Sequence, residues 1–253
     1  MKVIACYKIV PEELDIIIKA DRTLDMSKAV LKLGQYDLPA IEEAVQTAES
    51  AGGKAIILCA GPTEIDNSKL IKAALSRGAA ELFMVVDDAM KTADASQTAG
   101  VLAAAAAKIG FDLIICGEGS SDIYAQQVGA QLGEQLQVNT FNAVNNIKLN
   151  NGSIIVERAL EREIEVLDVP LPAVISVTTD INLPRIPQLK DILAAGKKPV
   201  TKWGLSELGV SIANPIDVVS TLAPESKERR QIIIEGDSDD KVEAFLQNIK
   251  KDL

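Results

Sequence analysis

The first half of the chain alternates two hydrophobic rhythms. Short β-branched runs predict strands at Lys2–Tyr7, Ala55–Ala60, Leu82–Val86 and Asp112–Cys116. Between them, Pro39–Ser50 sets Ala40, Ile41, Ala44, Val45 and Ala48 at helical spacing, with Glu42, Glu43 and Glu49 largely on other faces, which predicts an amphipathic surface helix. Ser68–Ser76 and Ser96–Ile109 predict two more helices, and the small residues of the second let it lie close on a sheet. Strand and helix in alternation imply a parallel sheet covered on both faces, so the expected fold class is α/β with a doubly wound, mostly parallel sheet.

After Gly129 the rhythm changes. Ala143–Asn150 and Ile154–Glu161 flank an Asn151-Gly152 turn signal, and Arg162–Val169 follows as a further short strand, which predicts an antiparallel addition. Leu171–Thr178 reads as another buried strand. From Asn182 to Lys202 the chain holds Pro184, Pro187 and Pro199 with few signs of a regular core element, and it is read as an arm. Beyond it, Glu225–Arg230 is charged, Gln231–Glu235 is strand-like, and Asp239–Leu253 predicts a terminal helix with Val242, Phe245, Leu246 and Ile249 on one face. The expected organisation is an α/β domain over 1–190 and a C-terminal arm and helix over 191–253. Such an arm gains little in a monomer and points to a partner surface.

Composition narrows the chemistry. With 253 residues, 47% of them hydrophobic, the chain is long enough for one sizeable core. Its net charge of -10 argues against a nucleic-acid partner, which would call for clustered Lys and Arg. Aromatics make up only 3%, too few for a stacking cage around a ligand. There is no histidine, which excludes Ser-His and Cys-His catalytic units and makes the usual zinc sites improbable. Cys6, Cys59 and Cys116 each lie near the end of an apolar run rather than as a spaced pair, as buried thiols of a reducing compartment do. No signal-peptide pattern opens the chain and no apolar run reaches membrane-spanning length, so a cytoplasmic location is expected.

Open parallel sheets bind ligands beyond the carboxyl ends of their strands, where the strand order reverses. Here those ends carry Ala5-Cys6-Tyr7, Ala60-Gly61-Pro62 and the loop Gly117-Glu118-Gly119-Ser120-Ser121-Asp122. The stretch Gly117–Gly129 is the most specific local feature: a strand, a Gly/Ser loop, then a helix. Its amides and the positive end of the helix dipole suit a phosphate, while the same pattern also describes an ordinary turn capped by Ser121 or Asp122. It contains neither GxxxxGK[ST] nor GxGxxG, which removes support for a P-loop or a nicotinamide enzyme.

A set of motifs, in order and with few gaps over residues 1 to 203, resembles the beta subunits of electron transfer flavoproteins. It comprises Val3–Pro11, Asp37–Ala44, Gly61-Pro62, Ala74-Leu75-Ser76-Arg77-Gly78-Ala79, Ile114–Gly129, Val156-Glu157-Arg158, Leu171–Val174, Ile181–Pro187 and Gly196-Lys197-Lys198-Pro199. Ser120-Ser121-Asp122 with Tyr124–Gly129, and Gln35-Tyr36-Asp37-Leu38, are similar to the FixA-like branch. The resemblance implies a Rossmann-like fold that holds an adenine nucleotide, AMP or FAD, beside a larger alpha subunit with its own FAD. A C-terminal arm would wrap that partner. It further implies an electron carrier rather than an enzyme, working between an acyl-CoA or similar dehydrogenase and a quinone or ferredoxin-type acceptor system, with NADH-driven bifurcation left open. Carried over by position, the nucleotide site falls on Ala5, Cys6, Gly34, Gln35, Tyr36, Asp37, Leu38, Ala60, Gly61, Asp122, Ala125, Gln126, Gln127, Val128 and Gly129. Partner recognition falls on Gln188, Leu189, Lys190 and Ile192, with Leu189 as the apolar anchor. The alternative considered, a universal-stress-type ATP-binding protein, shares the fold but leaves the Pro-rich arm and terminal helix unexplained.

Overall fold

A computed structural model describes residues 1–213, 216–225 and 231–250. One sheet of nine strands organises it. In chain order these are β1 (Lys2–Cys6), β2 (Lys54–Gly61), β3 (Glu81–Val86), β4 (Leu113–Gly117), β5 (Asn139–Asn150), β6 (Ser153–Ala159), β7 (Ile164–Pro170), β8 (Ala173–Val177) and β9 (Val200–Trp203). Their order across the sheet is β7-β6-β5-β8-β4-β1-β2-β3-β9. Every pairing from β5 to β9 across the sheet is parallel, with Ile4 opposite Ile56 and Ala5 opposite Ile115 in the central register. The pairings β5-β6 and β6-β7 are antiparallel, as the Asn-Gly turn predicts; Gly152 takes φ 93° there.

The helices are α1 (Asp37–Ser50), α2 (Ser68–Leu75), α3 (Ala95–Ile109), α4 (Val128–Leu136), α5 (Leu189–Ala195) and α6 (Asp239–Lys250). Alternation along β1 divides the core. Val3, Ala5 and Tyr7 pack with Ala40, Ile41 and Ala44 of α1 and Leu75 of α2, whereas Ile4 and Cys6 pack with Leu102 and Ala106 of α3 and Leu132 of α4. The sheet is therefore covered on both faces. Ile4, Ile57, Ile114 and Ile115 are almost completely buried, and each contributes roughly 1.5–3 kcal/mol by leaving water. The α3 helix starts at a capping box between Asp94 and Gln97 and stops at Gly110, whose φ of 75° a side chain would resist.

Three expectations need correction. The α1 helix is not a surface helix: Glu42 and Glu43 on its polar side are buried, because the segment 182–185 lies over them. Arg185 donates from its backbone N–H and from Nε to Glu42 Oε2 at 3.0 and 2.8 Å, and from Nη2 to Glu42 Oε1 at 3.0 Å. Asn182 Nδ2 reaches Glu43 Oε2 and the Pro39 carbonyl. The stretch to Lys202 also holds more regular structure than its prolines suggest, namely α5 and the edge strand β9, where Trp203 packs on Phe83 with ring centroids 5.1 Å apart. Gln231–Glu235 forms no strand; a β-prone pentapeptide gains little in extended form without a neighbour to pair with.

The chain divides into two compact units, Met1–Ile17 with Asp25–Val219, and Ile18–Leu24 with Ser220–Leu253. In the smaller unit the Arg22 carbonyl accepts the Ala223 N–H, Arg22 pairs with Glu225, and α6 exposes Val242, Phe245, Leu246 and Ile249 on one face. The charged run read over Glu225–Arg230 lies outside the described residues from 226 onward, as do the last three positions of the predicted terminal helix. Among the described residues no helix is long and apolar enough to cross a membrane.

Candidate functional site at the strand-order reversal

The chain moves outward from β1 through β2 to β3, then returns through α3 to place β4 on the other side of β1. The crevice at the carboxyl ends of β1 and β4 is therefore where a ligand of an open α/β sheet is received. Gly117 ends β4 against the turn that opens α1: a Cβ there would lie 2.5 Å from the Tyr36 carbonyl oxygen and 2.9 Å from Asp37 Oδ1. Only glycine permits that approach.

Asp37 organises the turn. Its Oδ2 accepts the Lys8 backbone N–H at 2.8 Å, and the Gly34 N–H reaches the Lys8 carbonyl at 2.8 Å. Burial pushes the Asp37 carboxyl up to about 7, against the opposing pull of the Lys8 N–H and ammonium, and the Asp122 charge adds to the rise. Lys8 Nζ in turn pairs with Asp122 at 2.5 Å. Burial works to raise the Asp122 carboxyl, but the Lys8 ammonium and the Ser120 hydroxyl outweigh it and hold the group below its usual range. Between the two loops, Tyr36 and Tyr124 rings lie 5.1 Å apart. The residues 34–38 and 122–124 thus form one wall.

The predicted residues are not all equally placed. Ala5 and Cys6 are buried at the end of β1, beneath the crevice. The Cys6 thiol is raised by its hydrogen bond with Cys116 and by burial, and Cys59 is pushed up to about 12 by burial, so these groups are packing rather than reactive thiols. Ala60 and Gly61 end β2, one strand further along, where a Cβ on Gly61 would touch Ile65. Ala125, Gln126 and Gln127 form an exposed approach to α4, with Gln126 at φ 56° and Gln127 Oε1 accepting from Gln131. Val128 and Gly129 open the helix, and Gly129 sits so close to β8 that a Cβ would collide with Ser176 Oγ. Leu38 packs partly buried against the core, and Gln35 is exposed with its amide on Glu13.

Neither Ser121 nor Asp122 caps α4. Asp122 accepts the N–H of Ile123, and no side chain caps the helix at Gln127, so the amides of its first turn lack intrahelical partners. Ser121 Oγ is buried with no protein partner. An uncapped helix start, with an unpartnered hydroxyl in the loop that leads to it, fits a ligand that brings oxygen acceptors, as a nucleotide phosphate does. Ser121 stood out in sequence only as a candidate cap, and Lys8 only within the Val3–Pro11 stretch; the available signal for Lys8 was a lone cation directly after the first strand. Among the described residues no cluster of His, Cys, Asp and Glu could hold a metal ion.

On the other side of α2, Gln188 stands at the start of α5, its N–H held by Asp191 at 2.9 Å. Leu189 is 72% exposed, Lys190 is exposed, and Ile192 turns partly toward α2.

A mostly parallel sheet covered by helices on both faces, with its strand order reversing at β1, defines an α/β protein of Rossmann-like design. Residues 22–208 match the electron transfer flavoprotein domain, and the chain belongs to that family.

Proposed function

We propose that this chain is the beta subunit, of the FixA-like branch, in a heterodimeric electron transfer flavoprotein. It holds one adenine nucleotide, AMP or FAD, and works in the cytoplasm with an alpha subunit whose FAD carries electrons from an acyl-CoA or similar dehydrogenase to a quinone or ferredoxin-type acceptor system. It is a carrier subunit, not an enzyme in its own right. The observation that carries the reading is the uncapped start of α4 at the point where the strand order reverses, with an unpartnered Ser121 Oγ in the loop that leads to it. In this reading the α4 amides and Ser121 hold phosphate oxygens, the turn 34–38 and the Tyr36–Tyr124 pair border the nucleoside, and Lys8 neutralises Asp122 so that an anion is not repelled. A bound FAD would supply hydride and single-electron chemistry; an AMP would be structural.

The test is to co-purify the chain with its alpha partner, denature the complex and identify the released nucleotides by chromatography. One FAD and one AMP per heterodimer supports a one-flavin carrier. Two FAD and no AMP places a second flavin here and makes bifurcation the working model. FAD alone at one per heterodimer, with no second nucleotide, overturns the assignment of this site.

A further inference from the structure

Asp37 is 6% exposed, and its carboxyl is wedged between two stretches of backbone. A Cβ at Gly34 would stand 2.5 Å from Oδ2, and one at Gly117 would stand 2.9 Å from Oδ1. The group has no room to swing out to water. Among the described residues its hydrogen-bond donor is the Lys8 backbone N–H on Oδ2. Asp122, by contrast, meets the Lys8 ammonium, the Ile123 N–H and the Ser120 hydroxyl. Asp122 is therefore held ionised, whereas Asp37 is placed to gain or lose a proton near neutrality. The other groups that face Asp37 are the Tyr7 hydroxyl and the Cys6 thiol of β1 and the Cys59 thiol of β2; all three titrate above their ordinary ranges and stay neutral. A negative charge that enters this crevice thus finds Asp37 as the group able to answer it with a proton.

The head of α4 is close by. A Cβ on Gly129 would lie 3.6 Å from the Cβ of Cys116, the residue before Gly117 in β4. Asp37 and the start of α4 thus flank consecutive residues of one strand, which sets them roughly 10 Å apart. A unit negative charge at that distance, in surroundings of effective dielectric about 20, changes the proton affinity of a carboxyl by about tenfold. We propose that Asp37 makes nucleotide binding proton-linked: the nucleotide phosphate at the head of α4 enters together with a proton on this carboxyl and leaves more readily once that proton is gone. The inference rests on the reading of the crevice as the nucleotide site. Reciprocity fixes the sign, since an anion that raises the proton affinity of Asp37 is itself held more tightly by the protonated protein. Affinity is therefore greatest where Asp37 is protonated in the free protein, at and below about 7, and falls as pH rises above that value.

The test uses the full chain with its alpha subunit, depleted of nucleotide and titrated with AMP and, in parallel, with FAD at fixed ionic strength. Between about pH 7 and pH 8.5 the wild-type affinity is expected to fall roughly fivefold, and calorimetry in two buffers of different ionisation enthalpy is expected to count roughly half a proton taken up per nucleotide midway through that range. The range lies above the second ionisation of a phosphate monoester near pH 6, and the Met1 amino group sits at the far end of β1. Asp37→Asn is expected to abolish both the fall and the uptake. Infrared difference spectra of the wild type supply a readout that needs no variant: the nucleotide added at about pH 8 is expected to strengthen the protonated-carboxyl band. Wild-type affinity that does not change with pH, the same fall in Asp37→Asn, or no gain in the carboxyl band overturns the proposal and leaves the nucleotide site standing. Binding of neither nucleotide at any pH overturns the site itself, and the proposal with it.

Discussion

The Asp37 carboxylate accepts the Lys8 backbone N–H at 2.8 Å and so ties the first turn of α1 to the end of β1. The contact is made by a buried acid whose charged form is penalised. Asp37 in the unfolded chain titrates near 3.8, and in the fold at about 7. The folded state therefore binds the extra proton between those values, and stability falls as pH rises from about 4 to 7. Asp37→Asn keeps an oxygen acceptor for Lys8 and removes the proton. Denaturant midpoints across that pH range are expected to fall in the wild type and to flatten in the variant; parallel slopes would show that another group titrates there.

Two positions at the head of α4 look interchangeable in sequence and are not. Gly129 is packed on Ser176, so even Gly129→Ala overpacks the α4–β8 contact and costs roughly 1–3 kcal/mol of stability. Ala125 is exposed. Ala125→Trp is expected to lower nucleotide content about tenfold with an unchanged melting temperature. Full nucleotide content in that variant would move the site away from this approach.

Arg185 is what makes the buried Glu42 tolerable. The guanidinium and the backbone N–H supply three bonds to its two oxygens, and they hold the carboxyl below its usual range although burial opposes this. Arg185→Ala leaves an unpaired charge under the 182–185 segment and is expected to cost about 2 kcal/mol, with the partial exposure of Arg185 limiting the loss. Replacing Glu42 by Gln as well is expected to recover part of it. A thermodynamic cycle over the two substitutions measures the coupling, and additive effects would mean that the segment is held by other contacts.

Leu189 stands 72% exposed. If it is the anchor for a partner, Leu189→Glu slows electron transfer between the heterodimer and its donor dehydrogenase by about tenfold or more, at constant melting temperature and nucleotide content. An unchanged rate assigns the anchor elsewhere.

Much of the fold was legible in local patterns. The four central strands and α1 to α3 follow from apolar periodicity, because each buries a face that its own sequence marks, and the Asn151-Gly152 turn follows from the conformations that Asn and Gly allow. The loop Gly117–Asp122 stood out for the same local reason. The position of β4 beside β1, the pairing of Lys8 with Asp122, and the burial of Glu42 under Arg185 were decided only in three dimensions, since each joins residues far apart in sequence. The helical periodicity of α1 marked Glu42 as solvent-facing, and only the returning 182–185 segment, which supplies the matching charge, made burial favourable. Likewise Val200–Trp203 is too short to announce a strand; it becomes one because β3 offers an open edge and Trp203 packs on Phe83. The sequence by itself determined which segments had faces to bury. The tertiary structure decided which polar groups would meet across them, because that depends on partners no local pattern contains.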